Sequence, residues 1–163
     1  MQMAVLKLSL SEFDAIDYDL IAIHTSLEDY RLAYFLNQKL PILLSKSSDF
    51  IEFETINGSA LFSKFFYLYE DTEEEWNLIG NKNELIDEEI GDSKNLFSDE
   101  QPKIATNLYF ISEMKKVDYF LKIENSLLNL NEIVSHINAI PQVSTAYIVE
   151  TETLKKSKNN LIF

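Results

Sequence analysis

Two stretches of this sequence, 100 positions apart, repeat one order of features, and that order limits the possible folds more than any other property of the chain. Each stretch begins with Asp-Tyr, at Asp17-Tyr18 and at Asp118-Tyr119, and ends at a proline, Pro41 or Pro141. An apolar run, a hydroxyl residue and an amphipathic pattern lie in between. The order predicts two strand–helix–strand units, although two unrelated units of this common kind would also produce it.

The first unit carries the clearest helix signal. Leu20–Ile23 is a short apolar run, typical of a strand that is buried on both faces. Thr25 and Glu28 have the spacing of a capping box, in which each side chain binds a free N–H group of the first helical turn. Apolar residues then recur at helical spacing until Pro41 ends the helix, and Ile42–Leu44 is predicted to begin the next strand.

The second unit follows the same course. Val117–Glu124 is predicted to be a strand, Ser126 supplies the hydroxyl at the junction, and Leu127–Ile140 is predicted to be a helix. Pro141 ends that helix. Val143–Val149 is predicted to form the closing strand.

Between the units the sequence changes to strand patterns. Phe50–Phe53, Leu61–Tyr69 and Trp76–Gly80 are rich in aromatic and β-branched residues. Turn signals separate them, so they predict a three-stranded meander. Ala105–Ile111 fits a strand or a helix, and we favour a strand.

We therefore predict an α+β fold: two βαβ-type units in a ferredoxin-like arrangement, with the meander inserted and both helices on one face of a mainly antiparallel sheet. One domain spans 1–154, with Met3–Leu10 as its first strand and an acidic loop at about 84–103, and 155–163 forms a polar tail. The exit Ile140-Pro141-x-Val143 resembles the corresponding turn of ACT-type regulatory domains, which bind amino acids at subunit interfaces.

Composition excludes several classes of function. The chain has no cysteine, so it has no disulfide, thiolate nucleophile or cysteine-bound metal. Its net charge of −13 is concentrated between Glu70 and Glu100, and no basic stripe that could follow a phosphate backbone is present. No apolar run approaches the length of a membrane span, and the N-terminus does not resemble a signal peptide. We predict a cytoplasmic protein that binds neither nucleic acid nor membrane.

The segment Ile111–Tyr119, Ile-Ser-Glu-Met-Lys-Lys-Val-Asp-Tyr, resembles the signature of the IPExxxVDY family of uncharacterised bacterial proteins. Five of the six specified positions agree, and Ser112 stands where the family has proline. The stretch His24–Tyr34 and the end Asn160–Phe163 also look like family features. The resemblance implies a family without an assigned activity, so it adds no chemistry.

Few residues are candidates for chemistry. His24 lies where a strand leads into a helix, and Glu28 or Asp29 one turn later can orient it as a general base. Arg31, the only arginine, can hold a carboxylate or a phosphate through two parallel hydrogen bonds. Structural roles compete with these: His24 can pack at the strand end, and Arg31 can pair with Glu28 on the helix surface.

Two functional hypotheses follow. We favour a non-enzymatic module that binds a protein or a small ligand, with His24, Glu28 and Arg31 as candidate ligand-binding residues, and that forms a homodimer through a sheet face or the apolar end Leu161–Phe163. The alternative is an enzyme that acts on a small anionic substrate, with His24 as base, Asp29 orienting a partner and Arg31 holding the anion. Because the chain has no glycine-rich phosphate loop, calcium loop or zinc motif, we predict no cofactor and no metal site.

Overall fold

The computed structural model describes residues 17–55, 58–85 and 106–163. The helices and strands, in chain order, are β1 (Tyr18–Thr25), α1 (Asp29–Lys39), β2 (Ser45–Lys46), β3 (Ile51–Thr55), β4 (Gly58–Phe62), β5 (Lys64–Tyr69), β6 (Glu74–Gly80), β7 (Lys82–Leu85), β8 (Thr106–Tyr109), β9 (Tyr119–Glu124), α2 (Leu130–Asn138) and β10 (Val143–Ile148). Short 3₁₀ turns cover Ser112–Met114, Thr151–Thr153 and Lys158–Leu161. The predicted first strand, Met3–Leu10, and most of the predicted acidic loop lie outside the described residues.

Six strands form the main sheet in the order β10-β1-β9-β6-β5-β2, and each neighbouring pair is antiparallel. Two further pairs, β3 with β4 and β7 with β8, form separate two-stranded sheets. The described residues therefore confirm the α+β class, with a mainly antiparallel sheet and two helices.

Both helices pack on one face of the main sheet. Helix α1 buries Leu32 and Leu36 there, and α2 buries Ile133 and Ile137. These side chains meet apolar residues of strands β1, β9 and β6, namely Ile21, Ile23, Leu121, Ile123, Trp76 and Leu78. Full burial of one such side chain contributes about 1.5–3 kcal/mol, so this layer is a major source of stability. Neither helix is long and apolar enough to cross a membrane.

A second core lies on the opposite face of the sheet. Side chains alternate along a strand, so Leu20 and Ala22 of β1 point away from the helices and pack with Phe62 of β4. Val117 belongs to the same cluster, so the two predicted units share one interior. Leu161, in the segment predicted to be a polar tail, is fully buried in this core.

The first unit departs from its predicted course. Helix α1 begins at Asp29, and its N-cap, Glu28, makes no side-chain capping hydrogen bond, so the predicted capping box with Thr25 is wrong. Ile42–Leu44 belongs to no strand. The chain forms β2 immediately afterwards, at the far edge of the same sheet, so β9, β6 and β5 lie between the two strands of the first βαβ-type unit.

The predicted meander is also divided. Leu61–Tyr69 is not one strand, because β4 ends at Phe62 and β5 begins at Lys64. Strands β3 and β4 pack over the outer core, whereas β5 and β6 form a hairpin within the main sheet, so the chain changes layers between them. Glu84, where the acidic loop was predicted to start, is part of β7. Strand β8 confirms the strand that we favoured within Ala105–Ile111.

Candidate functional site

The C-terminal ends of β1 and β6 meet the start of β9 at one end of the sheet, where they surround a pocket of about 280 Å³. The pocket is lined by Thr25, Ser26, Leu27, Gly80, Lys82, Asp118 and Tyr119. It lies at the strand-to-helix junction that the sequence indicated, but with a different set of side chains.

Asp118 is held in place by its backbone and by one carboxylate oxygen. Its N–H donates to the Ile23 carbonyl at 3.2 Å, and its carbonyl accepts from the Asn81 N–H at 2.9 Å. Its Oδ2 accepts from the Thr25 N–H at 2.9 Å. The second oxygen, Oδ1, has no hydrogen-bond partner among the described residues, and the residue is exposed. One oxygen of a rigidly placed carboxylate is therefore available to a ligand.

Tyr119 forms another wall of the pocket. Its hydroxyl donates to the Leu27 carbonyl at 2.7 Å. Burial raises the pKa of Tyr119 to about 12, and the negative charges of Asp29, Asp118 and Glu28 add to this effect. The phenol therefore keeps its proton at neutral pH and serves as a donor, not as a base.

Lys82 and Gly80 determine the charge and the free space of the pocket. Lys82 is exposed and pairs with no carboxylate in the described ranges. At Gly80 an added Cβ would meet Tyr119 Cε1 at 3.9 Å, which is an ordinary van der Waals distance. A larger side chain at position 80 is therefore a means of filling the pocket without a clash at its Cβ.

Asn81, which sequence reasoning missed, connects the pocket to the segment that resembles the IPExxxVDY signature. The side chain is fully buried. Its Oδ1 accepts from the Ile111 N–H at 2.8 Å, and its Nδ2 donates to the carbonyls of Met114 and Val117, each at 2.9 Å. These bonds fix the segment that carries Asp118 into the pocket. In the sequence, the pair Gly80-Asn81 suggests only a turn, so it gives no sign that Asn81 is a buried hydrogen-bonding residue.

The C-terminal segment anchors the same region from the other side. The Ser112 N–H donates to Ser157 Oγ at 3.1 Å, a bond that the proline of the family signature has no N–H to make. Ser157 Oγ in turn donates to Glu113 Oε1 at 2.8 Å. Asn160 Nδ2 donates to the Phe110 carbonyl at 2.8 Å. These bonds hold the C-terminal segment against the start of the segment that resembles the signature.

His24, the predicted base, does not line the pocket. Alternation along β1 places it on the same face as Leu20 and Ala22, away from the helices. Its Nε2 lies 3.0 Å from the hydroxyl oxygen of Tyr147 on β10, and the two rings stack with centroids 5.6 Å apart. The structure thus gives His24 a packing partner.

Glu28, Asp29 and Arg31 lie at the start of α1. Asp29 Oδ1 accepts from the Tyr30 N–H at 2.8 Å, and Arg31 is exposed. The predicted Glu28–Arg31 ion pair is absent from the described residues. Neither His24 nor Arg31 lines this pocket. Glu28 and Asp29 influence the pocket only through the charge that Tyr119 experiences.

A second polar cluster, which the sequence did not indicate, lies on the outer face of the sheet. Lys122 is 2% exposed, and its Nζ lies 3.5 Å from Glu124 Oε1. The same ammonium lies 5.2 Å and 4.3 Å from the ring centroids of Tyr18 and Phe163. Aromatic faces attract cations, so the cluster holds Phe163 against the sheet.

Within residues 17–55, 58–85 and 106–163, no group of three or more histidine or acidic side chains could hold a metal ion. Comparison with known proteins identifies no relative: no family model matches the sequence, and no curated protein or solved structure matches it significantly. The resemblance to the IPExxxVDY signature and both functional hypotheses therefore stay predictions.

Proposed function

We propose that this protein is a binding module whose pocket at the ends of β1, β6 and β9 takes a small molecule with both a carboxylate and an ammonium group, such as an α-amino acid. The observation that carries the proposal is that Lys82 and the free Oδ1 of Asp118 belong to one pocket. Hydrogen bonds between oppositely charged groups are the stronger kind, so a positive and a negative side chain in one pocket select a ligand with the complementary pair of charges.

The size of the pocket supports a small ligand. Its volume of about 280 Å³ falls just below the roughly 300–1,000 Å³ typical of sites for drug-sized molecules. The Ser26 hydroxyl lines the pocket and adds a further group that can donate or accept. A short amino acid or a similar zwitterion matches this volume and this set of groups.

The enzyme alternative receives less support from the same geometry. It requires His24 and Arg31 in one concavity, and neither residue lines this pocket. The hydroxyl of Tyr119, another titratable group of this pocket, is already bonded to the Leu27 carbonyl. Binding without turnover therefore needs fewer additional assumptions.

The finer predictions of fold and assembly belong to this proposal. A ferredoxin-like arrangement is supported by the strand order β10-β1-β9-β6, with both helices on one face. ACT-type domains, which the exit after α2 resembles, bind amino acids at subunit interfaces, and that agrees with the proposed ligand. A homodimer through the C-terminal residues is supported only by Ile162 and Phe163, which are exposed, since Leu161 is buried in its own chain.

Thermal unfolding in the presence of the standard amino acids tests the proposal. A ligand that binds only the folded state stabilises it by RT ln(1 + [L]/Kd), about 2.7 kcal/mol when its concentration is a hundred times Kd. We expect at least one amino acid to raise the melting temperature. Its decarboxylated amine and its deaminated acid should each have a smaller effect.

Three variants locate the binding. Gly80→Val, which fills the pocket, should abolish the shift in melting temperature. Lys82→Gln and Asp118→Asn should each weaken the affinity for the amino acid about tenfold or more in calorimetric titration, which corresponds to a loss of about 1.4 kcal/mol of binding free energy. Lys46→Gln, an exposed lysine on β2, is the matched control and should bind as wild type does. The proposal is wrong if no amino acid shifts the melting temperature, or if Gly80→Val binds normally.

A further inference from the structure

Among residues 17–55, 58–85 and 106–163, the main sheet has two edge strands, β10 and β2, each paired on one side only. An edge strand presents free N–H and C=O groups that can pair with a strand of another molecule. In this protein, each edge is met by an asparagine from the helix that precedes it.

On β10 this residue is Asn138, the last residue of α2. Its Nδ2 donates to the Ala146 carbonyl at 2.9 Å, and its Oδ1 accepts from the Ala146 N–H at 2.8 Å. Because both backbone groups of a residue in an antiparallel strand point to the same side, Ala146 faces away from β1. Val149 donates its N–H to the Leu20 carbonyl of β1 at 2.8 Å, so the backbone groups of Val149 face β1. Ala146 lies an odd number of positions earlier, so by alternation its backbone groups face the other way.

At the opposite edge the residue is Asn37, in α1. Its Nδ2 donates to the Leu44 carbonyl at 3.0 Å, and its Oδ1 accepts from the Leu44 N–H at 2.7 Å. Ser47 of the same edge segment donates its N–H to the Lys64 carbonyl of β5, so by alternation Leu44 faces outward. The residue that leads into edge strand β2 thus carries the same pair of bonds as Ala146 in edge strand β10.

We propose that Asn37 and Asn138 terminate the sheet, each carboxamide filling the pairing position that a seventh strand would take. The Asn138 carboxamide keeps β10 from pairing with β10 of a second copy of this chain. Without it, two copies join edge to edge in antiparallel orientation.

The composition of β10 indicates a second copy as the partner. Val143–Ile148 has no charged residue and no proline, the features that otherwise protect an edge, although the chain carries a net charge of −13. Two copies therefore approach there with the least like-charge repulsion. Antiparallel pairing about a two-fold axis at Ala146, which sets Ser144 of one copy opposite Ile148 of the other, is also self-complementary. Strand β2 has only two residues, one of them Lys46, and offers too little ladder for the same reaction.

Light scattering over a range of protein concentrations tests the proposal with Asn138→Ala, and Asn37→Ala is the matched control. We expect Asn138→Ala to form a species of twice the wild-type mass as concentration rises, whereas Asn37→Ala keeps the wild-type mass. Adding Ser144→Lys, a charge on the opened edge, should restore the wild-type mass. Asn138→Ala that is folded but keeps the wild-type mass throughout, or equal association of Asn37→Ala, would overturn the proposal.

Hydrogen exchange in the wild-type protein tests the closure itself without a variant. The N–H groups of Ala146 and Ile148 point to the same side of β10, but only that of Ala146 has an asparagine partner. We expect the Ala146 amide to exchange more slowly than the Ile148 amide, and to lose this protection in Asn138→Ala. Equal exchange of the two amides in the wild type would show that the edge is open.

Discussion

The two strand–helix units, β1-α1 and β9-α2, use the same local hydrogen bonds and lead to different places in the sheet. Thr25 Oγ1 accepts from the N–H two residues later at 3.2 Å, and Ser126 Oγ accepts from the Leu128 N–H at the same distance. Asn37 and Asn138 each hold the backbone that follows the proline. The repeated spacing in the sequence therefore corresponds to repeated hydrogen bonds.

The units differ at the start of the helix and beyond the proline. Asn129 Oδ1 caps α2 by accepting from the Asn131 N–H at 2.9 Å, whereas Glu28 gives α1 no such bond. After Pro141 the chain returns beside β1 as β10, but after Pro41 it reaches the far edge as β2. Local signals thus set where a helix ends, while the partner of the next strand depends on the rest of the sheet.

The strongest test of the comparison removes one core side chain from each helix. Leu36 of α1 and Ile137 of α2 are both fully buried in the helix-side core. We expect Leu36→Ala and Ile137→Ala each to lower the free energy of unfolding by about 2–5 kcal/mol in urea denaturation, because each leaves a cavity. Tyr34→Ala, at a residue 58% exposed on α1, is the control and should change it by about 0.5 kcal/mol or less. A small loss for only one helix would mean that the two do not share that core.

A smaller effect separates the two junction hydroxyls. Thr25 is buried, and its Oγ1 also donates to the Gln142 carbonyl at 2.8 Å, so Thr25→Val leaves two backbone groups without partners. We expect it to cost about 1–3 kcal/mol in urea denaturation. Ser126 is only partly buried, so water can replace its hydroxyl, and Ser126→Ala should cost about 0.5–1 kcal/mol. Equal losses would contradict the difference in burial between the junctions.

The sequence predicted those parts of the fold that depend on neighbours along the chain. The buried strand around Leu20–Ile23 and both helices ended by prolines are present. Ile42–Leu44 was assigned to a strand because its composition is apolar, but Asn37 takes the backbone bonds of Leu44 in place of a neighbouring strand. No pattern within a short window shows which group will satisfy a given N–H.

The candidate site was predictable in position and not in composition. The junction after β1 was expected to carry a ligand, and the pocket includes Thr25 from that junction. Gly80, Lys82 and Asp118 come from distant parts of the chain and reach the pocket only because β6 and β9 are neighbours near β1. His24 does not line this pocket, because alternation along β1 turns its side chain to the opposite face.

The finest comparison concerns the two tyrosines of the repeated Asp-Tyr pairs. The Tyr119 hydroxyl donates to the Leu27 carbonyl, whereas the Tyr18 hydroxyl oxygen is buried without a hydrogen-bond partner among the residues that the structure describes. Burial raises the pKa of Tyr18, and burial together with nearby carboxylates raises the pKa of Tyr119 to about 12. Both folded phenols therefore hold their proton more tightly than the unfolded chain does.

This difference predicts how stability depends on alkaline pH. A tyrosine in the unfolded chain titrates near pH 10, so the stabilisation from a raised pKa is complete below pH 10 and is lost as pH rises towards the folded value of about 12. We expect the urea midpoint of the wild type to fall above pH 10, and to fall less steeply in Tyr119→Phe, because phenylalanine has no proton to lose. Tyr18→Phe should flatten the curve less, since burial alone acts on Tyr18. If Tyr18→Phe flattened the curve more than Tyr119→Phe, the carboxylates around the pocket would not be acting on Tyr119 as the structure indicates.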